Sequence, residues 1–159
     1  MDSMIENIYV SRELYSLLFA PVCVKYGVTL TEILVLLSLS NGGGGDTAKD
    51  IVRRLGIAKS HVSVSVRDLE ERGYVKGGCE GNDRRLIHLH VCERAADVIA
   101  ESRAVQQQIH AIMEEGLSPE ERETLVRLIG RITENANAYL EHARAGTGGR
   151  QEASSRQNA

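Results

Sequence analysis

The chain has 159 residues, of which 42% are hydrophobic and 26% charged, with a formal net charge of −3. That length supports one domain with a real core, and the composition is that of an ordinary globular chain, excluding a disordered one. The longest apolar stretch, Ile33–Leu39, falls far short of the roughly 20 residues of a membrane span, and acidic residues stand where a signal peptide would be basic, so a cytoplasmic protein is expected.

Taken in order, Ile5, Ile8, Tyr9, Leu14, Tyr15, Leu17, Leu18 and Val22 recur at helical spacing and predict a first amphipathic helix over about 4–25. Pro21 should kink it or end its regular bonding early, because proline has no N–H to donate. Thr29 or Thr31 is expected to cap a short, very apolar second helix, which Asn41 and Gly42–Gly45 stop. Thr47 followed by Asp50 resembles a capping box opening a third helix, and Gly56 ends it. From Lys59 to Arg72 the spacing turns Val62, Val66 and Leu69 inward and Ser60, His61, Ser63, Val64 and Arg67 outward. Two short helices joined by a glycine-containing turn make a helix-turn-helix. Tyr74–Lys76 and Leu86–Val91 read as strands of a hairpin, a wing, with Ile87, Leu89 and Val91 on its apolar face and His88 and His90 on a solvated one. A fifth helix is expected over about Glu93–Glu115. A sixth opens at Ser118-Pro119-Glu120-Glu121, which supplies a cap, a proline at the first position and a glutamate three residues on, and it should stop near His142. The Gly-, Ser- and Gln-rich tail, 146–159, is expected to be disordered. The expected fold is therefore mainly α with a small β-wing: one domain over 1–145, its winged helix-turn-helix core at about 29–91, flanked by helices at about 4–25 and 93–142.

The charge is unevenly spread. Asp46–Val91 holds nine Lys/Arg against seven Asp/Glu, a sum of +2, while the rest has ten against fifteen, a sum of −5. A basic centre with acidic flanks is modest support for a nucleic-acid partner. Cys23, Cys79 and Cys92 show no C-x-x-C spacing, which argues against a disulfide framework or a zinc ribbon. Cys23 and Cys79 are the candidates for redox sensing, against a packing role for Cys23 and an exposed loop for Cys79. No third ligand accompanies His88 and His90, and Gly42–Gly45 lacks the Gly-Lys-Ser/Thr of a phosphate loop, so no metal or cofactor is expected. No Ser, Cys or His has a recognisable base and orienting partner, which argues against an enzyme.

The stretch IAKSHVSVSVRDLEERGYV followed by GNDRRLIHLHV resembles the recognition helix and wing of the MarR family of winged helix-turn-helix transcriptional regulators, and the order of elements matches except in the tail. The Leu69-Glu70-Glu71-Arg72-Gly73 helix ending and the Asp83-Arg84-Arg85 wing are its most specific parts. The resemblance implies a homodimer built by the terminal helices, binding double-stranded DNA at a pseudo-palindromic operator as a repressor, and released by oxidation or a small effector such as an aromatic acid. The physical reading gives the same roles: Ser60, His61 and Ser63 hydrogen-bond base edges, Val64 meets a thymine methyl, and Lys59 and Arg67 touch phosphate. In the family a D-x-R pair serves the wing, which places Asp83 as the holder of an Arg85 that enters the minor groove, with Arg84 as backup. The sequence departs from the pattern at Ala58, which replaces a capping Ser/Thr, at Val64 and Gly77, which replace arginines, and at Cys92, which opens helix 5. The alternative is a winged-helix module for protein contacts without specific DNA binding.

Overall fold

The computed structural model describes residues 3–42, 45–79 and 87–155, leaving aside the side chains of Cys79 and of residues 144–155. It divides into two units, Met1–Met113 and Glu114–Ala159.

The first unit begins with α1 (Ser3–Tyr26) and α2 (Leu30–Ser40). Helix α1 runs through Pro21 to Tyr26, in line with the expected span of about 4–25. Proline removes only the bond it would have donated to Leu17, and burial of Phe19 and Val22 on either side holds the turn. Thr29, not Thr31, caps α2: its hydroxyl accepts from Glu32 N (3.2 Å), and the Glu32 carboxylate accepts from Thr29 N (2.5 Å). That reciprocal pair gives the 2% exposed Glu32 a partner.

Helix α3 (Ala48–Leu55) opens at the expected Thr47–Asp50 box and closes at Gly56, whose φ of 63° is left-handed. Helix α4 (Lys59–Glu71) follows, then the antiparallel strands β1 (Val75–Cys79) and β2 (Ile87–Val91). An isolated bridge from Thr47 to His88 adds a stub to the outer edge of β2, tying the entry of α3 to the wing. The alternation expected in β2 holds at Leu89 (4% exposed) but fails at Ile87 (56% exposed), which has run past the core. A 3-10 turn, Glu93–Ala95, precedes α5 (Ala96–Met113), and Cys92 supplies no side-chain cap, as a thiol would not.

Phe19, Ile33, Val35, Leu36, Ile51, Val62, Leu69, Val98 and Ile109, all buried, join α1 to α5 around the apolar α2. Each such side chain contributes roughly 1.5–3 kcal/mol on leaving water, so this core fixes the platform from which α4 and the wing project.

The second unit is α6 (Pro119–Ser155). Ser118 and Glu121 form the expected capping box, Glu121 N to Ser118 Oγ at 3.2 Å and Ser118 N to Glu121 Oε2 at 2.8 Å. The helix continues past His142 into the segment expected to be disordered. Among the described residues no single helix is long and apolar enough to cross a membrane.

Candidate nucleic-acid interface

Helix α3 is held at its start by charge as well as by hydrogen bonds. Thr47 Oγ1 donates to Asp50 Oδ2 (2.5 Å), Asp50 N donates to Thr47 Oγ1 (3.2 Å) and Thr47 N to Asp50 Oδ2 (3.3 Å). The hydrogen bond from Thr47, helped by Arg53 and Arg54, holds the Asp50 carboxyl below the usual carboxylate range. Arg54 itself donates to Ser38 O (2.7 Å) and Ser38 Oγ (2.8 Å), fastening α3 to the end of α2.

Helix α4 turns Val62, Ser65, Val66 and Leu69 into the core and leaves Lys59, Ser60, His61, Ser63, Val64 and Arg67 exposed, so six sequence-predicted positions share one outward surface. Ser65 completes the inward face; a hydroxyl hid it from a reading of apolar residues alone. Ala58 makes no side-chain bond to the first turn, so those N–H groups have no side-chain acceptor. Between Lys59 and Glu71 stand two basic and three acidic residues. Arg67 is drawn along the helix to Asp68 (Nη2 to Oδ1 3.2 Å) and towards Glu71 (Nε to Oε1 3.8 Å).

The wing is tied to the helix-turn-helix on both edges. Gly77 N donates to Glu70 Oε1 (3.0 Å), and Leu89 N donates to Asp46 O (2.9 Å). His88 Nδ1 lies 2.6 Å from Asp46 Oδ1, with its side chain 20% exposed. His88 therefore does not lie on a solvated face, as the alternation alone suggested. The Thr47 bridge brings Asp46 against it, a contact across 42 positions that no local pattern reports. Among the described residues no group of three His, Cys, Asp or Glu could hold a metal. Asp46, His88 and His90, with Ser38 and Ser40, line an open cleft of about 510 Å³. Asp83, Arg84 and Arg85, assigned to the wing tip from sequence, lie outside the described residues.

Of the redox candidates, Cys23 is half-buried against the core, and burial, reinforced by the Glu32 charge, pushes its thiol pKa up. A thiol so shifted carries little of the reactive thiolate. The Cys79 side chain lies outside the description.

Residues 26–86, which span α2, α3, α4 and β1, match the family model described as MarR family. The chain is similar to YwhA, an HTH-type transcriptional regulator of Bacillus subtilis, with 29% identity over 94 residues, covering 57% of this chain and 66% of that protein. Among solved structures it is similar to a MarR family transcriptional regulator from Listeria monocytogenes complexed with a 26mer DNA (TM-score 0.81, 16% identity, 92% of this chain and 96% of that one). It is also similar to BpsR of Bordetella bronchiseptica, whose DNA binding is regulated by 6-hydroxynicotinic acid (TM-score 0.66, 19% identity, 83% of this chain and 99% of that one). The two structures share the fold, and the family is one of transcriptional regulators, not enzymes. Residues 26–86 thus match the MarR family model, and the chain shares its fold with MarR family transcriptional regulators of known structure.

Proposed function

We propose that the protein is a homodimeric DNA-binding repressor that reads a pseudo-palindromic operator and is released by a small effector or by oxidation. The observation that carries this reading is the outward surface of α4, a row of small polar side chains around the 46% exposed Val64, on a helix braced against a wing. In this account Ser60, His61 and Ser63 hydrogen-bond base edges in the major groove and Val64 packs on a thymine methyl, while Lys59 and Arg67 meet phosphates. The uncapped N–H groups at the start of α4 offer phosphate a further contact. On the wing, Asp83 orients Arg85 into the minor groove, with Arg84 as a second cation.

The homodimer is supported by apolar surface that a water-facing helix does not need. Ile5, Ile8 and Tyr9 on α1, Ile112 and Met113 on α5, and Val126, Ile129 and Ile132 on α6 are all 45% exposed or more. A two-fold pair would set its recognition helices about one DNA turn apart. An aromatic acid is the effector class taken in this reading, and the regulation of BpsR, a protein of the same fold, by 6-hydroxynicotinic acid supports it. The net acidity of α4 favours the alternative, a protein-contact module, and gives the test its sharpness.

The test compares the wild-type chain with Arg85→Ala on duplex DNA from the region upstream of its own gene. Wild-type protein should bind at low salt, and R85A should bind about tenfold or more weakly while remaining a dimer by light scattering. A folded wild-type chain that fails to bind at low salt would overturn the repressor reading in favour of the protein-contact module.

A further inference from the structure

We propose that Glu70 is a positioning residue for DNA recognition: its carboxylate clamps the outer edge of the wing to the recognition helix and so sets where the wing meets the duplex. This deepens the DNA-binding reading above and rests on it.

The argument begins with the register of the hairpin. Val75 faces Val91, Lys76 faces His90, Gly77 faces Leu89 and Gly78 faces His88, and the next pair out, Tyr74 and Cys92, is joined by a bond from Cys92 N to Tyr74 O (2.9 Å). Hydrogen-bonded and non-hydrogen-bonded pairs alternate in an antiparallel ladder. Pairs 76/90 and 78/88 are therefore the bonded ones, and 75/91 and 77/89 are not. The N–H groups of Gly77 and Leu89 consequently point away from each other, out of the two edges of the ribbon. Both outward donors are taken by the helix-turn-helix segment: Leu89 N by Asp46 O at the entry to α3, and Gly77 N by Glu70 Oε1 near the end of α4. A two-stranded ribbon has little stability of its own, so these bonds to its edges fix its angle.

The residue facing Glu70 fits this role. A Cβ at position 77 would lie 2.9 Å from both Glu70 Oε1 and Ile87 Cγ2, so those side-chain ends would have to shift; the glycine that stands where the family pattern has arginine leaves the bond undisturbed. Charge makes the role testable. Glu70 is one of three acids on a helix meant to meet phosphate, so on electrostatics alone its removal strengthens DNA binding. A clamp predicts the reverse for a variant that loses the acceptor. It also predicts recovery for one that loses the charge but keeps an oxygen.

The experiment uses the full chain and the upstream duplex, with Glu70→Ala and Glu70→Gln. E70A should bind about tenfold more weakly, the scale of one lost charge-assisted bond, and lose hydroxyl-radical protection at the flanking minor-groove positions while keeping it at the major-groove centre of each half-site. E70Q should restore both. Without DNA, hydrogen exchange at the Gly77 amide should accelerate in E70A and not in E70Q. If wild-type protein binds and E70A binds as tightly or more tightly, with flanking protection intact, the clamp is overturned and the regulator reading stands. If folded wild-type protein binds no DNA, both fall together.

Discussion

Ser102 lies in α5 with 1% of its surface exposed, and its hydroxyl has no hydrogen-bond partner among the described residues. A buried hydroxyl without a partner costs about 1–3 kcal/mol, and alanine removes it with almost no change of volume. Ser102→Ala should therefore raise the urea midpoint, with a gain of about 1 kcal/mol, and a loss of similar size would show a bond to an acceptor in the folded chain. At this scale, residues whose place depends on helical period were legible. Ser60, His61, Ser63, Val64 and Arg67 face outward because Val62, Val66 and Leu69 face inward. Glu70, Asp46 and His88 were not legible as partners, because their contacts follow from strand register and from a bridge between distant segments. The redox candidacy of Cys23 weakens for a similar reason, since burial, and after it the charge of Glu32 on another helix, raises its pKa through tertiary packing.

At the scale of elements, capping chemistry carried the reading well. The boxes at Thr47–Asp50 and Ser118–Glu121 formed as their spacing implies, and the missing cap at Ala58 and the altered start at Cys92 are both present. Helix α1 spans the stretch that its apolar period implied, with Pro21 inside it, and α6 runs beyond the expected end near His142. The α3 cap also has a pH signature. The folded-state pKa of Asp50 lies below its unfolded value, so the stability it contributes is fully present above the unfolded pKa, about 3.9, and is lost as pH falls through the folded one. Asp50→Asn should be less stable than wild type near neutrality, and the gap in urea midpoint should close as the pH is lowered from about 5 towards 3. A gap independent of pH would mean that the Asp50 charge adds nothing to the cap.

For the whole molecule, the winged helix-turn-helix was visible in sequence because turn, cap and period signals agree along it, and the family match covers the same residues. The electrostatic character of the interface was less visible. The +2 sum over Asp46–Val91 hides an α4 with more acid than base, so the basic charge of the segment resides elsewhere, Arg84 and Arg85 included. Binding should accordingly draw its specificity from contacts on α4 and its salt dependence from the wing. Fluorescence anisotropy of the full chain on the upstream duplex, titrated from about 50 to about 200 mM salt beside a scrambled duplex, examines both halves of that statement. The account predicts saturable binding that prefers the upstream duplex at every salt, with an affinity that falls linearly in log–log form and a shallower slope for R85A. Equal affinity for the two duplexes, or no binding at the lowest salt by a folded protein, would contradict it.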